Sequence, residues 1–178
     1  GGGNIVLCWR PTDLLTPRGW SLLLQAIDQL SDSKDKSVTW FAFHANQDVN
    51  LLRTLSQKGL VPKRLEAKSS TIIAKNIKHA QDIFSDASLV VAMRLHAFIL
   101  STVSQCPTVA LSYDPKVEAA AKTADAPWLD LAHLPSLERI LLQWSDCMSQ
   151  IPSKSHLQNV QRQADKHEQA LKSTLKNI

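Results

Sequence analysis

Short apolar runs recur along the chain, and each breaks off into polar or charged residues. Asn4 to Trp9 (NIVLCW) is apolar and β-branched enough for a buried strand, and it gives way to Arg10-Pro11-Thr12-Asp13. Val38 to Phe43 (VTWFAF) is a second such run, ending at His44-Ala45-Asn46-Gln47-Asp48. Leu89 to Met93 leads directly into Arg94-Leu95-His96, and Thr108 to Leu111 into Ser112-Tyr113-Asp114-Pro115-Lys116. Leu60 to Leu65 reads as a weaker strand and Trp128 to Leu131 as a last short one.

Between these runs the apolar spacing changes to three and four residues, which predicts helices. Trp20, Leu23, Leu24, Ile27 and Leu30 share one face of a helix that Thr16 caps and Pro17 opens. Leu51, Leu52 and Leu55 mark a helix that Gly59 closes. Ile72, Ile73, Ile77, Ala80 and Phe84 suggest one helix from a Ser69-Ser70 cap through Phe84. Arg94-Leu95-His96 opens an apolar helix, and Val117 to Lys122 is short. Ser136 to Met148 carries Leu137, Ile140, Leu141 and Trp144 on one face, and Ser155 to Lys176 reads as a long charged helix.

Strands alternating with helices imply βαβ units. The expected fold class is α/β, a Rossmann-like three-layer α/β/α domain with a mainly parallel sheet. In such sheets ligands bind outside the carboxyl ends of the strands. Arg94, His96 and Lys116 all fall at that edge, two of them at the start of one helix, where N–H groups and the helix dipole favour anions. The local expectation is a small anionic ligand. No strand is followed by GxGxxG or GxxxxGK[ST], so the anion has to be held by side chains and helix ends.

At 178 residues and 44% hydrophobic, the chain can bury one full core. A net charge of +4 suits anionic ligands or a membrane surface, but it is too small to argue nucleic-acid binding. Cys8, Cys106 and Cys147 are odd in number and lack metal spacing, which fits a reduced, cytoplasmic setting. No apolar run approaches the roughly 18 residues of a bilayer span, and no signal segment opens the chain. Gly1 to Gly3 reads as a linker or cloning remnant, 4–152 as the ligand-binding domain, and 153–178 as a separate carboxy-terminal helix.

The segment MRLHAFILSTVSQCPTVALSYDPKV resembles the carboxy-terminal half of the polysaccharide pyruvyl transferase family. That family pairs a strand ending in Arg-Leu-His with a strand ending in a Ser-Tyr-Asp-Pro-Lys-type loop. The resemblance implies one half of a two-domain, GT-B-type enzyme with its active site between two Rossmann-like halves. It implies transfer of the pyruvyl carbons of phosphoenolpyruvate onto a sugar of a cell-wall glycan precursor, forming a ketal and releasing phosphate. Phosphoenolpyruvate is then a donor substrate, and neither a cofactor nor a metal is implied. The other partners are a glycan acceptor, lipid-linked in some settings, and the amino-terminal half of the same enzyme, against which 153–178 is expected to pack. A peripheral contact with the inner membrane face fits the same reading.

Carried over by position, His96 and Lys116 are the catalytic candidates, and Arg94, Arg10, Lys116 and Tyr113 the donor-binding ones. Each also has an ordinary structural reading. Arg94 would be a solvated helix-start residue, His96 a satisfied core histidine, and Lys116 a routine first-turn lysine. Arg10 also suits an ion pair with Asp13, and Tyr113 suits packing as well as ligand stacking. His44 and Asp48 could line the edge, with Asp48 equally suited to capping a helix. Asp114 would either orient Lys116 or stiffen the turn. Two other functions stay open: the donor domain of a nucleotide-sugar GT-B glycosyltransferase, and a non-catalytic binding domain.

Overall fold

A computed structural model describes residues 2–150. The helix expected at 153–178 lies outside the described residues. Six strands form one sheet: β1 (Ile5–Cys8), β2 (Val38–Ala42), β3 (Ser69–Ile73), β4 (Leu89–Ala92), β5 (Thr108–Ser112) and β6 (Trp128–Asp130). Every pairing is parallel and the spatial order is β3-β2-β1-β4-β5-β6. This is the doubly wound order, and the direction of winding reverses between β1 and β4. The α/β architecture expected from the alternating pattern is therefore the one that forms.

The central strands are buried on both faces, so their side chains divide by parity between two cores. Ile5, Leu7, Leu89, Val91, Val109 and Leu111 face one core. It is closed by α1 (Pro17–Ser33), α3 (Leu51–Gln57), α4 (Lys63–Ala67) and α8 (Leu137–Ser149). Val6, Cys8, Val90, Ala92 and Ala110 face the other, closed by α5 (Ile77–Asp86), α6 (Leu95–Val103) and α7 (Pro115–Thr123). A tryptophan cluster, with Trp9 5.5 Å from Trp40 and 6.0 Å from Trp20 between ring centroids, fills the first core beneath the exit of β1. The remaining helix, α2 (Ala45–Asp48), is a single turn directly after β2.

Thr16 caps α1 through a 3.2 Å bond from the Gly19 N–H, as its sequence suggests. Gly59, at φ +70°, closes α3 in the left-handed region that favours glycine. Gly3, read from sequence as linker, donates to the Asp86 carbonyl at 3.0 Å.

Two expectations between residues 60 and 84 are corrected. Leu60 to Leu65 is not a strand: Pro62 precedes the short helix α4, and Leu65 points into the core. Ser69 to Phe84 is not one helix either. Ser69–Ile73 is the edge strand β3, paired residue for residue with β2 from Val38↔Ser69 to Ala42↔Ile73. The helix begins at Ile77, capped by the Asn76 side chain. The four-residue step from Ile73 to Ile77 mimics a helical stripe across the linking loop. Only the unpaired edge of β2 selects the extended alternative.

Candidate functional site

With all strands parallel, their carboxyl ends share one edge, and the winding reversal opens a crevice outside β1 and β4. Side-chain bridges cross that edge, and two of them each arch over one intervening strand. The first joins the exit of β2 to the exit of β4, over the end of β1. The second joins the exit of β1 to the exit of β5, over the end of β4.

The first bridge is an ion pair between Arg94 and Asp48. The apolar strand β4 delivers Arg94 to the N-cap position of α6, not to its first turn as the sequence suggested. The residue is 9% exposed, so its guanidinium needs a partner. Arg94 Nη2 donates to Asp48 Oδ1 at 2.6 Å and Nε to Oδ2 at 3.2 Å, while Nη2 also reaches Gln47 Oε1 at 2.8 Å. Asp48 does not cap a helix as an N-cap residue. It ends α2, and its Oδ2 accepts the backbone N–H of His44 at 2.9 Å.

The second bridge is Arg10 with Tyr113. Arg10 Nη1 donates to the tyrosine hydroxyl at 3.1 Å, and the guanidinium carbon lies 4.8 Å from the ring centroid. Among the described residues Arg10 thus engages Tyr113 and, through Nε, the Pro11 carbonyl at 3.3 Å, rather than Asp13. Such a contact, partly open to water, is worth about 0.5–1 kcal/mol and mainly fixes orientation.

His44 sits half-buried at the exit of β2. Burial is the largest influence on its imidazole, and the nearby Arg94 and Arg10 charges add to it; together they outweigh Asp48 and hold its pKa below the ordinary 6.5. It is therefore uncharged at neutral pH and able to accept a proton or hydrogen bond. Cys8, at the end of β1, has its thiol pushed well above the ordinary range by burial, with Asp48 adding to the effect. A thiol so held is not a nucleophile.

His96 and Lys116 enter from the first turns of α6 and α7, on the same side of the sheet. His96 is half-buried and Lys116 exposed. Asp114 caps α7, accepting the Lys116 backbone N–H at 2.8 Å, so it stiffens the turn and engages that residue's main chain. The fold therefore brings Arg10, Arg94, His96, Tyr113 and Lys116 to one sheet edge. Direct contacts tie Arg10 to Tyr113 and Arg94 to the β2 exit. A hollow of about 650 Å³ nearby, lined by Leu14, Pro17, Arg18, Leu22, Leu60 and Leu134 among others, includes none of these residues.

Asp48 and Gln47 are the site residues that sequence reasoning undervalued. The sequence carried half of the signal: a cation ending a wholly apolar strand needs an acid at the same sheet edge, but Asp13, Asp48 and Asp114 all follow strand exits, and the strand order selects Asp48 across β1. Among the described residues no helix is long and apolar enough to cross a membrane.

The polysaccharide pyruvyl transferase family matches residues 8–115, more than half of the chain and the stretch that carries both bridges. No curated protein sequence matches. Among solved structures, an O-GlcNAc transferase mutant from Thermobaculum terrenum is similar with a TM-score of 0.48 and 12% identity, over 99% of this chain and 37% of that one. A UDP-forming trehalose-phosphate synthase from Burkholderia xenovorans is similar with a TM-score of 0.44 and 14% identity, over 97% of this chain and 45% of that one. The chain thus spans less than half the length of either.

Proposed function

The chain belongs to the polysaccharide pyruvyl transferase family, and we propose that it is the donor-binding part of an enzyme moving the pyruvyl group of phosphoenolpyruvate onto a sugar. The acceptor in this reading is a cell-wall glycan precursor, and an amino-terminal half of the same enzyme covers the open edge from the acceptor side. The observation that carries the reading is the convergence of Arg10 and Arg94 at the winding reversal, bridged to Tyr113 and Asp48 respectively.

Phosphoenolpyruvate carries a carboxylate and a phosphate on a three-carbon frame. Guanidinium groups pair with either in fork geometry, and an ammonium such as Lys116 adds a point charge. Ketal formation protonates the methylene carbon, leaving a cationic carbon that one sugar hydroxyl attacks. Its bond to the phosphate oxygen then breaks, and a second hydroxyl closes the ring. Of the two hydroxyl protons released, one balances the proton taken up by carbon and the other leaves with phosphate. His96 handles a proton in this scheme, while Arg94, Arg10 and Lys116 offset the charge that develops on phosphate. Tyr113 forms a wall of the donor site.

The test is phosphate release from phosphoenolpyruvate by the enzyme that includes its amino-terminal half, with a lipid-linked glycan as acceptor. Turnover that falls at least about a hundredfold in His96→Ala is the expected result, the usual scale for losing a proton-transfer group. Wild-type turnover in that variant refutes the role of His96. Turnover of a sugar nucleotide in place of phosphoenolpyruvate refutes the donor assignment.

A further inference from the structure

Arg94 is the most enclosed of the candidate cations at the site, and its partner Asp48 is more enclosed still, with side-chain exposures of 11% and 1%. A guanidinium has five N–H donors. Among the described residues Asp48 and Gln47 take the one on Nε and both on Nη2, and no hydrogen bond engages the pair on Nη1, which is thus the fork offered to a ligand. The carboxylate is itself immobilised, because Oδ2 also receives the His44 N–H at the start of α2. We propose that Asp48 is a positioning residue for the donor site: it presents Arg94 to the anion in one fixed orientation. The inference rests on the reading of Arg94 as a donor-binding group.

The pairing also divides the labour of the site. Arg94 and Asp48 together carry almost no net charge, so the long-range attraction for a multiply charged donor comes from Arg10 and Lys116. Arg94 contributes directional hydrogen bonds. This leads to a sign that simple electrostatics does not share. Neutralising Asp48 adds a net positive charge to the edge, which by Coulomb's law alone tightens the binding of an anion. If Asp48 positions Arg94, the same change weakens it.

The experiment uses the enzyme with its amino-terminal half, phosphoenolpyruvate and a saturating glycan acceptor, and compares Asp48→Asn, Arg94→Lys and the double variant. Asp48→Asn is expected to raise the KM for phosphoenolpyruvate about tenfold, the scale of one charge-assisted contact, with the acceptor KM unchanged. The double variant is expected to be no worse than Arg94→Lys alone, since a misplaced arginine and a missing one are equivalent. Gln47→Ala, at an exposed position, should shift the same KM upward by about threefold, and it decides the matter if Asp48→Asn does not fold. An unchanged or lowered KM for phosphoenolpyruvate, or penalties that multiply in the double variant, overturns the inference alone. If Arg94→Lys leaves that KM untouched, or the wild type releases no phosphate, the underlying donor reading fails and this inference goes with it.

Discussion

Replacing Arg94 by alanine should destabilise the chain more than replacing Asp48 does, although both remove the same ion pair. Breaking a buried pair costs about 3–5 kcal/mol because an uncompensated charge is left behind. In Arg94→Ala that charge is the Asp48 carboxylate, 1% exposed and left, among the described residues, with the His44 N–H alone. Water entering the vacated arginine volume recovers part of the loss, so about 3 kcal/mol is expected. In Asp48→Ala the stranded group is a guanidinium on a long flexible stem, already 11% exposed. It can swing toward solvent, and the cost falls to about 1–2 kcal/mol. Urea denaturation measures both: with an m-value of about 2 kcal/mol/M, the midpoint moves by about 1.5 M for Arg94→Ala and about half that for Asp48→Ala. The double replacement Arg94→Met with Asp48→Leu should come within about 1 kcal/mol of wild type, because two apolar side chains have no charge to strand. A loss below about 1 kcal/mol in Arg94→Ala, or a larger loss in Asp48→Ala, would refute the reasoning, since it would mean the carboxylate is well solvated without its partner.

His44 has a folded pKa below its ordinary 6.5, so as pH falls the unfolded chain takes up the proton first; its contribution to stability is intact above 6.5 and is lost as pH drops toward the folded value. Urea midpoints measured from about pH 7.5 to pH 5 should therefore fall less steeply in His44→Gln than in wild type, and identical slopes would contradict the burial of His44 beside the arginines. Asn76 caps α5 through the His79 N–H at 2.8 Å, whereas Ser70 lies in β3, so Asn76→Ala should cost about 1 kcal/mol and Ser70→Ala less than about 0.5 by thermal unfolding. Equal costs would restore the longer helix that the sequence suggested.

The chain's own pattern determined the α/β class, five of the six strands, the Thr16 cap and the edge to which Arg94, His96 and Lys116 belong. Those follow from local periodicity and from chain direction in a parallel sheet, both of which a linear sequence carries. β3 was not legible, because Ile72 and Ile73 satisfy a helical stripe as well as an extended one until β2 offers its free edge. The partners of Arg94 and Arg10 were decided by the tertiary structure as well. Asp48 lies 46 residues from Arg94 and Tyr113 lies 103 from Arg10, and only the strand order brings their exits within reach. Asp48 looked like a cap because an acid at a helix start usually is one. It binds an arginine instead because burial makes an unpaired guanidinium costlier than a missing cap, and that burial is a property of the assembled sheet.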